Sequence, residues 1–197
     1  MQDMTNVLVV GVGGQGVVLA SNILCEVALR AGFDVKKSEV HGMSQRGGVV
    51  TSHVRFGKKV YSPLIAAGTA DVVLGFEASE ALRFAHEVKK GGHLIVSSQQ
   101  IKPPSSSERK GPKYPTDPIG DAKGMCAGHV VSIDAENIAL KLGNPRLTNT
   151  ILLGALSTDL TINEQVWIHT ITAMVPKKTI EVNLKAFAAG RDAVSGK

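Results

Sequence analysis

Apolar positions along the chain alternate between two periods, one suited to strands and one to helices. Residues 6–10, NVLVV, form a short continuous apolar run of the kind that builds a strand buried on both faces, which calls for a sheet covered by helices. The glycine-rich stretch GVGGQG at 11–16 follows. Val17, Leu24, Ala28 and Ala31 then recur at helical spacing until Gly32, predicting a helix with a glycine stop. A second strand-like run ends near Glu39. Beyond it VVTSHVRFG and VYSPLI, separated by Lys58 and Lys59, read as two strands joined by a tight turn at Gly57. ADVVLGF predicts a strand, 77–90 a helix stopped by Gly91 and Gly92, and HLIVSS another strand. HVVSIDA supplies one more strand. Three helical stretches, about 149–160, 163–174 and 179–193, come last, with Pro176 between the final pair and Asn163 and Glu164 suited to a helix start.

Strand, glycine turn and helix stand in the order of a dinucleotide-binding unit. In that reading Gly11 permits the tight turn, Gly13 lets a phosphate approach the backbone, and Gly16 lets helix and strand pack closely, with free N–H groups at the helix start aimed at an anion. Glu39 falls near the place where an acidic residue would bind a ribose. A glycine turn of this kind also serves plain α/β packing, and the motif alone leaves both readings open. Lys36 and Lys37 could face a cofactor 2′-phosphate or simply water. The two strands expected around Gly57 break the Rossmann order after its second strand, because that fold continues with a helix and another parallel strand.

Composition narrows the class. A chain of 197 residues with 43% hydrophobic content suits one core, so 1–197 is expected to be a single domain with a helical final part from about 149. Residues 101–121 hold five of the eight prolines and three consecutive serines, which predicts an exposed excursion rather than a linker. The net charge of +5 is spread in ones and twos, and aromatic residues make up only 4%, so nucleic acid is a poor partner. Two distant cysteines, Cys25 and Cys126, form neither a disulfide framework nor a metal or iron-sulfur ligand set, which fits a reducing cytoplasm. MQDMTNVLVVG enters a strand without a basic flank or cleavage site. No apolar run approaches the ~20 residues of a membrane span. A cytoplasmic protein is expected.

Most catalytic chemistries find no support. Five of the six histidines (His53, His86, His93, His129 and His169) stand singly, without a metal-ligand spacing. Ser44 and His41 lack the G-x-S-x-G setting of a nucleophile, and the phosphate loop of NTPases is absent, so no catalytic residue is assigned. The segment EVHGMSQRGGVV remains. There Arg46 offers a planar fork for carboxylate or phosphate, Gln45 an amide, and Gly47 and Gly48 unshielded N–H groups, in a loop expected on the same face as the glycine turn. The plainer alternative is a tight turn whose Arg46 caps neighbouring carbonyls.

GVGGQGVVLASNIL, KKSEVHGMSQRGGVVTSHVRFG, VYSPLI and ADVVLGFEASEALR together closely resemble the gamma-type subunits or domains of 2-oxoacid:ferredoxin oxidoreductases, nearest to the small subunits of the indolepyruvate branch. The resemblance runs over about 6–160 and implies a three-layer α/β/α fold with a mixed sheet and a Rossmann-like start. It implies that thiamine diphosphate, magnesium and iron-sulfur clusters reside in a large partner subunit, none in this chain. That partner decarboxylates the 2-oxoacid, reduces ferredoxin and transfers the acyl group to coenzyme A. Gly11, Gly13, Gly14, Gln15 and Gly16, with His41, Gly42, Met43, Ser44, Gln45, Arg46, Gly47 and Gly48, would bind ligand or face the partner's active site. A hetero-oligomer is implied, with a homodimer conceivable in isolation. An arylpyruvate is the expected substrate; a gamma subunit for pyruvate, 2-oxoisovalerate or 2-oxoglutarate is the alternative within the family. A free-standing NAD(P)-binding reductase and a nucleotide-sensing module are the alternatives outside it.

Overall fold

A computed structural model of the chain describes residues 4–42, 48–102 and 113–195, with His41 and Ser195 described by their backbone only. The first apolar run becomes β1 (Met4–Val12), whose Val7, Val9 and Val10 are buried on both faces as a central strand requires. The glycine turn leads into α1 (Val17–Arg30). Gly32, at φ 87°, ends it in the left-handed conformation that glycine adopts freely. Next come β2 (Asp34–His41) and β3 (Val49–Gly57), then β4 (Ala70–Gly75), α2 (Ala78–Arg83) and β5 (Val88–Ser97). The chain goes on through α3 (Pro118–Met125), β6 (His129–Ile133), α4 (Ala135–Lys141), α5 (Thr148–Ser157), α6 (Glu164–Met174) and α7 (Ile180–Ser195).

The six strands form one mixed sheet in the order β2-β3-β1-β4-β5-β6. β3 runs antiparallel to both β1 and β2, whereas β1, β4, β5 and β6 are parallel. Alternate strand residues feed two cores. Val7, Val9, Val54, Phe56, Val72 and Leu74 pack under α1 and the helices α4 to α7, while Leu8, Val10, Val73, Leu94 and Val96 pack under α2 and α3. The result is the expected three-layer α/β/α arrangement.

Three expectations are corrected. VYSPLI is not a strand: both edges of β3 are already filled by β1 and β2. Residues 58–69 instead form an irregular connection, held where Arg55 Nη1 donates to the carbonyls of Ser62 and Leu64 at 2.9 and 2.8 Å and Asp34 accepts from the Val60 N–H at 2.9 Å. The helix expected over 77–90 stops at Arg83, and after a 3-10 turn at Ala85–Glu87 the chain is already β5. Gly91 and Gly92 therefore lie inside a strand, at an irregular register opposite Ala70 and Val72, where a side chain on Gly92 would meet the Asp71 carbonyl at 2.7 Å. Residues 103–112 of the excursion expected at 101–121 lie outside the described residues, and its end belongs to α3, whose Pro118 is buried. The three final helices begin and end within a few residues of their predicted limits, and Asn163 caps α6 through the Gln165 N–H at 2.8 Å.

Candidate functional site

The glycine turn stands where the sheet reverses direction. From β1 the chain passes over one face through α1 to β2 on one side, and β4 leads through α2 on the opposite face to β5 on the other. The crevice beyond the carboxyl ends of β1 and β4 is thus a topological switch point, the place where open α/β sheets offer a ligand site.

Each turn residue has a distinct structural task. Gly11 faces a neighbourhood in which a Cβ would stand 2.8 Å from Phe76 Cβ and 2.9 Å from a Val17 methyl. Gly14 and Gly16 take φ 99° and 82°, which only glycine adopts without strain. Gln15 is the bolt of the assembly. Its Oε1 accepts from the Val12 N–H, and its Nε2 donates to the Phe76 carbonyl and to Gln99 Oε1, each at 2.9 Å. One carboxamide thereby ties the ends of β1, β4 and β5 together, and it is consumed inside the chain. Gln99 in turn donates to Glu136 Oε1 at 3.2 Å.

Two concave regions share the turn. A cavity of about 580 Å³ is lined by Gly13, Gly14, Gln15, Gly16, Leu19, Gln99, Ile101, Pro145, Arg146, Thr148 and Asn149. A more apolar groove of about 570 Å³ runs along Val12, Val17, Val18, Asn22 and Val50 on the other side. Gln99, Ile101, Arg146, Thr148 and Asn149 were not singled out in the sequence. They lie far from the glycine motif along the chain, and no motif links them to it.

The second predicted segment meets the turn at its end. The Gly13 N–H donates to the Gly48 carbonyl at 2.9 Å, and the Gly42 N–H donates to the Val49 carbonyl at 2.7 Å. Gly42 and Gly48 thus close a loop beside the glycine turn. Met43, Ser44, Gln45, Arg46 and Gly47 lie outside the described residues, as does the side chain of His41, whose backbone ends β2. Glu39 is not beside the turn. In the observed strand order β3 separates β2 from β1, so Glu39 lies two strand spacings away, roughly 10 Å. Its carboxylate is paired with Lys37. The ribose role read from its spacing is not supported by this position.

A buried carboxylate organises the neighbouring wall. Glu77 is 1% exposed and caps α2 by accepting from the Glu80 N–H at 2.8 Å. Its other oxygen accepts from the Ile101 N–H at 3.0 Å and from the Tyr114 hydroxyl. Burial and this carboxylate push the Tyr114 hydroxyl above its ordinary range, and burial also raises the Glu80 carboxyl. The two cysteines do not fit a redox cluster: Cys25 packs on the α1 face and Cys126 on the α3 face of the sheet. Burial pushes the Cys25 thiol up to about 11. Among the described residues no group of three potential metal ligands occurs, and no helix is long and apolar enough to cross a membrane.

Comparison with known proteins places this geometry in context. A family model described as pyruvate ferredoxin/flavodoxin oxidoreductase matches residues 6–193. The chain is 42% identical to the indolepyruvate oxidoreductase subunit IorB of Thermococcus kodakarensis, over 94% of this chain and 93% of that one. Its likeness to the pyruvate/ketoisovalerate oxidoreductases common subunit gamma of the same organism is lower, 30% over 75% of this chain and 73% of that one. The solved keto/oxoacid ferredoxin oxidoreductase gamma subunit from Geobacter sulfurreducens superposes with a TM-score of 0.74 at 22% identity, covering 98% of this chain and 99% of that one, which shows the same fold.

Proposed function

Because the chain belongs to the pyruvate ferredoxin/flavodoxin oxidoreductase family, we propose that it is the small subunit of an indolepyruvate-type enzyme. Such an enzyme oxidatively decarboxylates an arylpyruvate with coenzyme A to an arylacetyl-CoA and reduces ferredoxin. The observation that carries this reading is the likeness to the indolepyruvate oxidoreductase subunit, which is higher and longer than the likeness to the pyruvate/ketoisovalerate gamma subunit. In this reading thiamine diphosphate, magnesium and the iron-sulfur clusters belong to the large partner; for the clusters the support is that Cys25 and Cys126 lie on opposite faces of the sheet and cannot share one.

In this reading the chain contributes shape rather than bond-making groups. The glycine turn, bolted by Gln15, and the loop closed by Gly42 and Gly48 turn the switch-point crevice toward the partner's reaction chamber. Arg46 and Gln45 in that loop supply polar contacts to substrate, coenzyme A or the partner. A free-standing NAD(P) reductase is disfavoured by the strand order, which removes Glu39 from the turn.

The test is reconstitution. The chain purified alone should be colourless and inactive with arylpyruvate, coenzyme A and ferredoxin. Coexpression with its large partner should yield a brown complex that reduces ferredoxin in an arylpyruvate-dependent manner. Ferredoxin reduction by the isolated chain, or a complex that prefers pyruvate over arylpyruvate, would overturn the assignment.

A further inference from the structure

The irregular connection at 58–69 is pinned to the sheet by side chains rather than by strand pairing. Asp34 accepts from the Val60 N–H at 2.9 Å, Arg55 Nη1 donates to the Ser62 and Leu64 carbonyls at 2.9 and 2.8 Å, and His53 Nδ1 accepts from the Ile65 N–H at 3.2 Å. The last of these seats a core residue. Ile65 is 9% exposed and packs with Leu8, Val10 and Val73, although its chain neighbours Leu64 and Ala66 are both exposed.

Of the three pins, only His53 changes its hydrogen-bonding role near neutral pH. Arg55 stays protonated throughout, and the Asp34 carboxyl is held down at about 2. An imidazole that accepts at Nδ1 is neutral and carries its proton on Nε2, whereas the imidazolium has an N–H at both nitrogens. Protonation therefore sets two donors against each other at Ile65.

The charges around His53 bear on when this happens. Arg55 shares its face of β3 two residues away, roughly 7 Å along the strand. Across the ladder, β2 places Ser38 beside His53 and Lys36 beside Arg55, with Lys36 paired to Asp34. β1 places Leu8 and Asn6 there, and neither titrates. Asp71 of β4 bonds the Asn6 N–H and pairs with Lys89. The connection adds exposed Lys58 and Lys59, the latter paired with Asp34. Glu87, in the 3-10 turn, accepts from the Gly68 N–H at 2.9 Å and lies 3.3 Å from His86. Its charge favours a protonated His53, yet burial outweighs it and the imidazole titrates below its ordinary 6.5.

We propose that His53 is an acid-sensitive latch: its neutral imidazole seats Ile65 in the core, and its protonation frees the Ile65 end of the connection while Asp34 and Arg55 keep the Val60 end in place. The latch lies wholly in this chain and does not depend on the subunit assignment.

The experiment is amide hydrogen exchange on the full chain from about pH 7.5 to about pH 5, each rate divided by that of an unstructured chain at the same pH. A latch with a lowered value is complete above 6.5 and weakens as pH falls through the lowered one. Protection at Ile65 should fall by about tenfold at most for each pH unit in that interval, and should level off where the His53 ring resonances titrate. Val60, held by Asp34, and Val73, in the middle of β4, should keep theirs. His53→Asn supplies an amide oxygen that accepts without taking a proton, so its Ile65 protection should ignore pH. Wild-type protection at Ile65 that ignores pH, a loss shared equally by Val73, or a variant that follows the wild-type profile would overturn the proposal. Should the variant fail to fold, the wild type decides alone: a His53 ring that titrates outside the interval over which Ile65 opens rules the latch out.

Discussion

Two side chains show how single residues hold this site and its scaffold. Gln15 makes three hydrogen bonds, and replacing it by alanine leaves the Val12 N–H and the Phe76 carbonyl without their partner. Gln15→Ala should cost about 1–3 kcal/mol of stability, read as a lowered urea midpoint, and should loosen the glycine turn before the rest of the sheet, read as faster amide exchange at Gly13 and Gly14. Asp34 works at the other end of the sheet, where it accepts from Val60 and pairs with Lys36 and Lys59. The Val60 N–H and Lys36 hold its carboxyl down at about 2, against an ordinary 3.8. A depressed carboxylate contributes stability that is complete above the ordinary value and is lost as pH falls through the lowered one. Asp34→Asn should therefore flatten the dependence of stability on pH between about 4 and 2. Glu80 and Asp159, both raised by burial, contribute in the opposite sense, so the difference between variant and wild type is the quantity to measure across that window. Equal slopes in both proteins would show that the Asp34 contacts add nothing to folding.

At the level of elements, α5 illustrates what the apolar pattern conveys and what it hides. TILLGALS is apolar on nearly every face, which demands burial by this chain or by another. Every residue of α5 is in fact buried within this chain, with α7 crossing it closely. The crossing depends on two glycines that sequence alone leaves unremarkable. A Cβ on Gly154 would stand 2.1 Å from the Phe187 carbonyl oxygen, and one on Gly190 would stand 1.9 Å from that of Ile151. Alanine in a helix gains up to about 1 kcal/mol over glycine. Backbone overpacking costs about 1–3 kcal/mol or more and prevails here. Gly154→Ala and Gly190→Ala should each lower the thermal midpoint. Gly124→Ala in α3, where nothing lies within 4 Å, should raise it slightly. The same limit governs the rest of the legibility. The glycine turn and the helices α1, α5, α6 and α7 follow from local period and punctuation, whereas the mixed sheet is implied by the family resemblance. The pairing of β3 with β2, the irregular 58–69 connection and the Gly91–Gly92 bulge depend on which strand edges are already occupied, and that information is nonlocal. Asn149 is illegible in the sequence for the same reason, since it joins the turn only after α5 packs.

The molecule as a whole places its parallel strands and both helix layers so that one end of the sheet is occupied by turns rather than by core. That end carries the glycine turn, the Glu77-anchored wall and the ends of the loop between Gly42 and Gly48, and in the function proposed above it is the surface that faces the partner. Arg46, in that loop, is the residue whose substitution best separates the roles open to it. Its planar fork can engage a carboxylate or phosphate through two bonds, which lysine cannot reproduce. Arg46→Lys, which keeps the charge, should leave the stability of the isolated chain within about half a kcal/mol if the side chain serves ligand or partner and not the fold. The rate of the reconstituted enzyme at saturating coenzyme A should fall on the order of tenfold or more, because a charge-assisted bidentate contact contributes roughly 1.5–3 kcal/mol. Gel filtration of the same sample assigns the loss. An intact complex with a reduced rate puts the guanidinium at the reaction chamber, and a dissociated complex puts it in the subunit interface. A fully active, fully assembled variant returns Arg46 to the plain role of a turn residue that caps its neighbours' carbonyls.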